Sequence, residues 1–276
     1  MGLVKSGSNA RYLCISKDQL VKVPPKVVPD RAVCLAETYL TAFQALHLDQ
    51  TKPSVRYRNK CLNGRSILIL EGYSSLGRSL IEVSLASGVN RCYALAKADQ
   101  HKIISRLGAI PLSHNPQQWL KKIKSKIDVI VAVKDYRDLY TERVTKDHLK
   151  TLTNDGRVVV IGQPGVDNSF SFSLVVSEGD KDGNKTRKQQ KPLEQKKEQK
   201  IKKTAESYNV FDSQEADPKQ TKRDLEHLLG LLEHNKLAPE VLDLVSLSKV
   251  ATVQSILESK RVTGHVVCTP WATDSS

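Results

Sequence analysis

Two glycines and two serines stand close together after a short apolar run, spaced as in a phosphate-binding turn. Residues 69–80 read ILEGYSSLGRSL, in which Gly72 and Gly77 hold the first and third places of Gly-x-Gly-x-x-Gly and Ser74 holds the second. In that pattern the glycines permit a tight turn, a close approach of backbone to pyrophosphate, and close packing of helix on strand. The hydroxyls of Ser74 and Ser75 could bond phosphate oxygens beside the N–H groups of the helix that begins near Leu76. The alternative is an ordinary strand–turn–helix without a ligand.

The residues after the next predicted strand favour one cofactor over another. An acid at this place bonds a ribose 2′-hydroxyl, whereas a basic residue accommodates a 2′-phosphate. Lys97 ends the strand and Lys102 follows one turn later, while Asp99 can serve as a helix cap. Opposite charges attract, so this arrangement favours NADPH over NADH. The alternative is that both lysines are solvated surface charges.

Alternating apolar and helical patterns predict the elements that position these residues. Buried strands are predicted at 66–70, 91–96, 110–112, 127–133 and 158–161, and helices at 30–48, 76–86, 99–107, 116–126, 140–152 and 221–234. Further strands are expected at 12–23 (two short ones), 207–211, 240–247 and 262–268, with a turn at 154–156 and a short helix at 248–259. Strands alternating with helices at this spacing indicate an α/β fold built on an open, doubly wound parallel sheet.

Composition narrows the class of protein. The chain has 276 residues, a formal net charge of +13 and five scattered cysteines without a Cys-x-x-Cys pair, so we expect reduced thiols in a cytoplasmic protein rather than a disulfide framework. No apolar run approaches the roughly 20 residues that cross a bilayer, so no membrane span is predicted. The seven histidines are not paired with cysteine or glutamate at metal-ligand spacing, so no zinc is expected.

Residues 178–203 interrupt the pattern with a basic, polar segment. They hold ten Lys or Arg and five Asp or Glu, and almost nothing apolar. Such a segment cannot bury enough surface to offset its ordering entropy, so we predict a flexible insertion. Polyanion binding through this segment is a minor alternative, because no aromatic residues are interleaved to stack bases.

Several stretches together resemble the medium-chain dehydrogenase/reductase superfamily, in particular its zinc-free quinone oxidoreductases and enoyl reductases. The resemblance rests on residues 8–12, on the helix at 28–46 with its Leu-Thr-Ala-Phe-Gln-Ala-Leu, on 64–77, on Leu-Gly-Ala at 107–109, on 155–162, on 236–239 and on 263–268. These pieces follow one another in the family's order and spacing over most of the chain outside 178–203.

The resemblance implies a Rossmann-type domain, a small-molecule substrate and hydride transfer from NADPH to an activated C=C or a quinone. It implies that Thr41 faces the nicotinamide ribose or ring, that Gly72, Ser74, Ser75, Leu76 and Gly77 hold the pyrophosphate, that Lys97 or Lys102 meets the 2′-phosphate, and that Ile161 and Gly162 line the ligand crevice. A homodimer is also an expected assembly. No catalytic residue can be assigned: Tyr12, Tyr39, Tyr136 and Tyr140 could each donate a proton.

The chain departs from the family in its GroES-like catalytic domain. The expected division is a remnant of that domain at 1–27, the dinucleotide-binding domain at 28–177 and 204–239, the basic insertion at 178–203, and a return to a residual β-rich GroES-like portion at 240–276. The missing middle glycine and the shortened catalytic domain leave an alternative open. The chain would then be a non-catalytic nucleotide-binding or scaffold relative, or a fragment of a longer reductase.

Overall fold

A computed structural model describes residues 1–3, 7–47, 62–133, 144–162, 205–258 and 263–272. Its main feature is a six-stranded sheet. The strands are β1 (Ser66–Ile69), β2 (Arg91–Leu95), β3 (Ile110–Leu112), β4 (Ile127–Val133), β5 (Leu152–Ile161) and β6 (Ala205–Tyr208). All pairings are parallel, in the order β3-β2-β1-β4-β5-β6. The doubly wound parallel sheet predicted from the sequence is confirmed.

Helices cover both faces of this sheet. They are α1 (Pro29–Val33), α2 (Leu40–His47), α3 (Ser75–Ala86), α4 (His101–Arg106), α5 (Pro116–Trp119), α6 (Lys146–Thr151), α7 (Val210–Ala216) and α8 (Pro218–Glu233). A π-helical segment, Leu35–Tyr39, joins α1 to α2. Side chains of β1 alternate between two cores: Ile67 and Ile69 pack with α2, α3 and α8, whereas Leu68 packs with Trp119 and Leu149 of α5 and α6. Burial on both faces explains the continuous apolar strands.

A second, smaller unit follows α8. It contains β7 (Val241–Val245), α9 (Val250–Glu258) and β8 (His265–Cys268), and its two strands pair in parallel. We call residues 240–258 and 263–272 the C-terminal unit. Its predicted strands and helix are therefore confirmed. In the part of the chain that the structure describes, no helix has both the length and the apolar character to cross a membrane.

The two strands predicted at 12–23 are wrong. This stretch contains a single 3₁₀ turn, Lys17–Gln19, and is otherwise without regular structure. Tyr12 is 83% exposed and Leu13 48%, whereas Val21 is buried in the main core without belonging to a strand. A short apolar run forms a strand only where a neighbouring strand and a core accept it.

Other boundaries also differ from the predictions. Helix α5 ends at Trp119 instead of continuing to 126, and the chain goes on as a turn in which the Lys122 N–H donates to the Trp119 carbonyl at 2.9 Å. Residues 154–156 form no separate turn but an irregularity inside β5. The last strand of the six-stranded sheet, β6, ends at Tyr208 instead of continuing to 211. The Asn209 side chain accepts the N–H groups of Phe211 and Asp212 and thereby caps the start of α7. The interpretations of residues 178–203, and of 140–143 as helix, lie outside the described residues.

Candidate functional site

The turn between β1 and α3 is shaped by two glycines. A Cβ on Gly72 would lie 2.6 Å from the Ala94 Cβ on β2, and a Cβ on Gly77 would overlap the carbonyl oxygen of Glu71. The Gly72 N–H also donates to the Leu95 carbonyl at 3.0 Å. Neither position has room for a side chain, so both glycines allow α3 to begin close against the sheet. These are the roles that the first and third glycines have in a dinucleotide-binding turn.

Ser74 caps the start of α3. Its hydroxyl accepts the Gly77 N–H at 2.9 Å and donates to the Glu71 carbonyl at 3.1 Å. The first N–H groups of a helix have no acceptor within the helix. In α3 the Ser74 side chain provides an acceptor for one of them, the N–H of Gly77. The N–H groups of Ser74, Ser75 and Leu76 therefore have no intrahelical acceptor, and they are the groups that an anion at this end of α3 could take.

Ser75 links the turn to the C-terminal unit. Its hydroxyl donates to the Gly264 carbonyl at 3.2 Å and accepts the Gly264 N–H at 3.0 Å. Gly264 has a φ of 144°, and a Cβ there would lie 2.6 Å from Leu242 Cγ. The hydroxyls of both serines in the motif are thus engaged inside the protein.

The two lysines lie beyond the carboxyl end of β2. Lys97 comes two residues after Leu95, whose carbonyl accepts the Gly72 N–H, so it begins at the same edge of the sheet as the β1–α3 turn. Its N–H donates to Gln100 Oε1 at 3.1 Å, which opens the helical segment leading into α4. The side chains of Lys97 and Lys102 are exposed. Both ammonium groups are therefore available to an anion.

The remaining predicted site residues lie in neighbouring elements. Thr41 is buried in α2, which packs against α3 and α8. Ile161 is the buried last residue of β5, and the Gly162 N–H donates to the Tyr208 carbonyl at 3.0 Å. β5 is two strands from β1, so Gly72 and Gly162 share the carboxyl edge of one sheet without being adjacent. The segments that follow β4 and β5 at this edge lie outside the described residues.

A polar cluster that the sequence did not indicate joins α3 to the segment before α2 and to the segment after α8. Glu82 Oε2 accepts the Tyr39 hydroxyl at 3.1 Å and the Ala238 N–H at 2.7 Å. Burial raises the pKa of Glu82, and burial together with the Glu82 charge raises that of Tyr39. Arg78 pairs with Glu240.

His265 belongs to the same cluster. It is hydrogen-bonded through Nε2 to Thr38 Oγ1 at 2.9 Å. Burial, and then Arg78, lower its pKa. The cluster joins residues far apart in the chain, so no local motif could have revealed it. Of the four candidate tyrosines, Tyr39 is buried here, Tyr12 is exposed, and Tyr136 and Tyr140 lie outside the described residues.

Comparison with known proteins identifies the fold. No protein-family model matches the sequence, and no curated protein matches it significantly. Among solved structures, the chain is similar to a quinone oxidoreductase from Coxiella burnetii, with 18% identity, a TM-score of 0.59, and coverage of 92% of this chain and 65% of that one. It is also similar to the CurK enoyl reductase, with 16% identity, a TM-score of 0.61, and coverage of 92% of this chain and 67% of that one. For an alcohol dehydrogenase from a Thermus species, the identity is 20%, the TM-score is 0.60, and the coverage is 90% of this chain and 61% of that one.

The chain shares the fold of these solved structures. The resemblance drawn from the sequence is therefore confirmed as a likeness of fold. The chain spans about two thirds of the length of these solved structures. Within the described residues no group of three or more His, Cys, Asp or Glu side chains is placed to hold a metal ion.

Proposed function

We propose that this chain binds a nicotinamide dinucleotide at the β1–α3 turn and is an oxidoreductase that uses NADPH. The observation that carries the proposal is the pair of glycines, Gly72 and Gly77, at which no Cβ fits. These glycines lie in the turn between β1 and α3, and β1 belongs to a parallel sheet with the strand order 3-2-1-4-5-6. The ligand crevice of such sheets is found at this end of the strands. The residues present therefore fit the phosphates of a dinucleotide.

The pyrophosphate would be held by main-chain groups. The N–H groups of Ser74, Ser75 and Leu76 stand at the start of a twelve-residue helix. The positive end of the helix dipole adds to their attraction for an anion. Ser74 supports this arrangement by capping the helix, rather than by contact with phosphate.

The preference for NADPH rests on Lys97 and Lys102. Both side chains are exposed beyond β2, and Asp99 lies in the turn between them. A 2′-phosphate beside two ammonium groups gains charge-assisted hydrogen bonds that a 2′-hydroxyl cannot make. When bound, the nicotinamide supplies a hydride, and we propose an activated C=C or a quinone as its acceptor.

A second candidate is a nucleotide-binding or scaffold relative without catalysis, or a piece of a longer reductase. Two observations favour it: the chain spans about two thirds of the solved structures that it resembles, and the hydroxyls of Ser74 and Ser75 are engaged within the protein. This candidate shares cofactor binding with the first and differs from it only in turnover.

Calorimetric titration with NADPH tests the binding step. Ser75→Asp places a carboxylate on the first turn of α3, where the helix dipole tolerates it but a pyrophosphate is repelled. The matched control is Ser75→Asn, which also removes the hydroxyl that contacts Gly264 but adds no charge. We expect NADPH binding to the wild type and the Asn variant and its loss in the Asp variant.

Equal binding by both variants, or no binding by the wild type at millimolar NADPH, contradicts the proposal. Oxidation of bound NADPH by a quinone or an enone then separates the two candidates. Turnover supports the reductase, whereas binding without turnover supports the non-catalytic relative.

A further inference from the structure

The amino ends of four adjacent strands each carry a basic residue. Arg91 is the first residue of β2, and Arg65 directly precedes β1. Lys126 directly precedes β4, and Lys150 lies two residues before β5. Because these strands are neighbours in a parallel sheet, the four residues form a row along its amino edge. The row is about 14 Å long, since neighbouring strands lie about 4.8 Å apart.

Side-chain contacts hold this row together. The Arg91 guanidinium donates to Ser125 Oγ at 3.4 Å, and Ser125 Oγ lies 3.5 Å from the hydroxyl oxygen of Ser66, the first residue of β1. Lys126 Nζ donates to the carbonyl of Lys150 at 2.7 Å, where it meets the negative end of α6. The basic ends of the four strands therefore belong to one continuous surface.

A turn with three more lysines adjoins the row. Between the end of α5 and the start of β4 the chain carries Lys121, Lys122 and Lys124, all exposed, directly before the Ser125 that contacts the row. None of the three lysines has an ion-pair partner among the residues that the structure describes. We call the row and this turn, residues 121–126, the basic edge.

Carboxylates offset only part of the charge of the basic edge. No Asp or Glu occurs in residues 100–127. In the described part of the chain, the carboxylates beside the basic edge are three. Asp128 pairs with Arg65 at 2.8 Å, Asp147 pairs with Lys150 at 2.9 Å, and Asp155 is exposed in the irregular part of β5. Seven cations against three carboxylates leave a net charge of +4.

A surface of this charge exceeds what solubility requires. Charges of both signs, interspersed, keep a protein in solution, and like charges placed side by side repel one another. The repulsion among Lys121, Lys122 and Lys124 is relieved when a partner brings negative charge. The basic edge is therefore complementary to a polyanion.

The surroundings of the basic edge favour a phosphate backbone with paired bases. Exposed Lys and Arg side chains beside a serine hydroxyl are groups that proteins use to contact nucleic-acid phosphates. Tyr93 and Trp119, aromatic residues near this edge, are buried, so neither ring can stack on an unpaired base. A duplex, whose bases are already stacked, needs no such ring. The row of about 14 Å also matches the roughly 12 Å width of the major groove, which separates the phosphates of the two strands.

An anionic membrane fits the basic edge less well. Peripheral membrane sites combine cations with an apolar face of aromatic and aliphatic side chains that enters the headgroup layer. In the lysine turn, Leu120 is 38% exposed and Ile123 is half-buried against the core. This is too little apolar surface for such a face.

We propose that the basic edge binds the phosphate backbone of a nucleic-acid duplex without reading its sequence. The candidate dinucleotide site lies at the opposite, carboxyl edge of the sheet. The seven residues of β4 separate the two edges by about 20 Å. The two proposals are therefore independent, and each can fail without the other.

Fluorescence anisotropy of a labelled DNA duplex, titrated with the full chain, tests the proposal. For a duplex of about 20 base pairs we expect a Kd of about 1–100 µM at physiological salt, the range of non-specific binding. Contact with about four phosphates should make the logarithm of the association constant fall with the logarithm of salt concentration with a slope of about −4.

A triple variant locates the binding. Lys121→Gln, Lys122→Gln and Lys124→Gln together should weaken duplex binding about tenfold or more and reduce the salt slope by about 2 to 3, because each lysine lost removes a phosphate contact. The melting temperature of the variant confirms that it is folded.

The matched control removes three exposed lysines outside the basic edge. It combines Lys22→Gln, Lys26→Gln and Lys219→Gln, of which the first two lie in the N-terminal segment and the third in α8. This variant carries the same change in net charge. It should weaken duplex binding by less than about threefold and keep the wild-type salt slope.

Three outcomes with these variants would overturn the proposal. They are no duplex binding at about 100 µM protein, equal weakening by the two triple variants, and wild-type affinity in the variant of the lysine turn. The last result would assign the binding to another part of the chain, such as the basic segment at 178–203.

Other ligands supply further tests. Tighter binding of a single strand of the same length, or binding of phosphatidylserine vesicles without binding of the duplex, would overturn the proposal. NADPH should leave duplex affinity unchanged. Displacement of the duplex by NADPH would also overturn the proposal, since the phosphates would then occupy the dinucleotide site.

Discussion

The Glu82 carboxylate on α3 accepts the hydroxyl of Tyr39 at 3.1 Å, and the same oxygen accepts the Ala238 N–H at 2.7 Å. One side chain thus joins three segments: the π-helical turn before α2, α3 itself, and the link from α8 to β7. Glu82→Ala would leave two donors without their acceptor. We expect it to lower the free energy of unfolding by about 1–3 kcal/mol, measured by urea denaturation.

Glu226→Ala, at an exposed position on α8, is the control and should change the free energy of unfolding by less than about 0.5 kcal/mol. A cycle with Tyr39→Phe should show a coupling of about 1 kcal/mol. Equal effects of Glu82→Ala and Glu226→Ala would show that the contact contributes nothing.

The stability of the protein should depend on pH through His47. Burial lowers the pKa of His47 to about 4 from its ordinary 6.5, so the folded state takes up this proton less readily than the unfolded state. The contribution of His47 is therefore fully present above pH 6.5 and is lost as the pH falls from there toward 4. It amounts to about 3 kcal/mol at most.

His47→Gln should flatten the fall in the free energy of unfolding between pH 6.5 and 4. His234→Gln, at an exposed position after α8, should leave that fall as it is in the wild type. A wild-type slope in the His47 variant would contradict the assignment.

Two replacements of Ser74 separate its role as the cap of α3 from its effect on cofactor binding. Ser74→Ala removes the cap of α3 and should lower the free energy of unfolding by about 1 kcal/mol, whereas Ser74→Gly should cost only a few tenths of a kcal/mol. Thermal denaturation measures both.

Ser74→Gly also restores the middle glycine of the pattern. With less bulk near the pyrophosphate, we expect this variant to bind NADPH more tightly than the wild type in calorimetry. Unchanged or weaker binding would show that the serine does not limit approach of the cofactor.

Gly264 should be intolerant of a side chain. Gly264→Ala forces a Cβ to within 2.6 Å of Leu242 at a φ of 144°, and we expect a loss of about 1–3 kcal/mol. Gly230→Ala is the matched control, because a Cβ there meets nothing within 4 Å and alanine favours the interior of α8. The control should be neutral or stabilising, and an equal loss in both would refute the role of Gly264.

Lys97 and Lys102 should decide between the two nicotinamide cofactors. The double variant Lys97→Gln, Lys102→Gln should weaken NADPH about tenfold and change NADH little, because only NADPH carries the 2′-phosphate. Lys121→Gln with Lys124→Gln, at exposed positions after α5, controls for the loss of two charges. Equal weakening of both cofactors by the first pair would contradict the assignment.

The sheet could be predicted from the sequence because its strands are buried on both faces. Residues 67–70 and 129–133 are continuous apolar runs, and such runs between helical patterns are typical of a parallel sheet. Residues 12–23 show the limit of this reasoning. Residues 12–15 form an apolar run as in a strand, but no neighbouring strand pairs with them in the described structure.

The candidate site was only partly predictable. The spacing of Gly72 and Gly77 revealed the turn, since the geometry of such a turn depends on residues that are close in sequence. The engagement of Ser75 by Gly264 depends on residues 189 positions apart. The cluster of Glu82, Tyr39 and His265 depends in the same way on tertiary packing, which no local pattern encodes.

The capping role of Ser74 and the engagement of Ser75 have a consequence for mutational tolerance. Every residue except proline carries the N–H group that an anion would meet at the start of α3, so an uncharged side chain at positions 75 and 76 leaves that contact in place, whereas an acidic one repels the anion. Gly72 and Gly77 cannot be replaced in the same way, because the polypeptide itself fills the space beside them. Saturation mutagenesis should therefore find positions 75 and 76 tolerant of uncharged residues other than proline, and positions 72 and 77 intolerant.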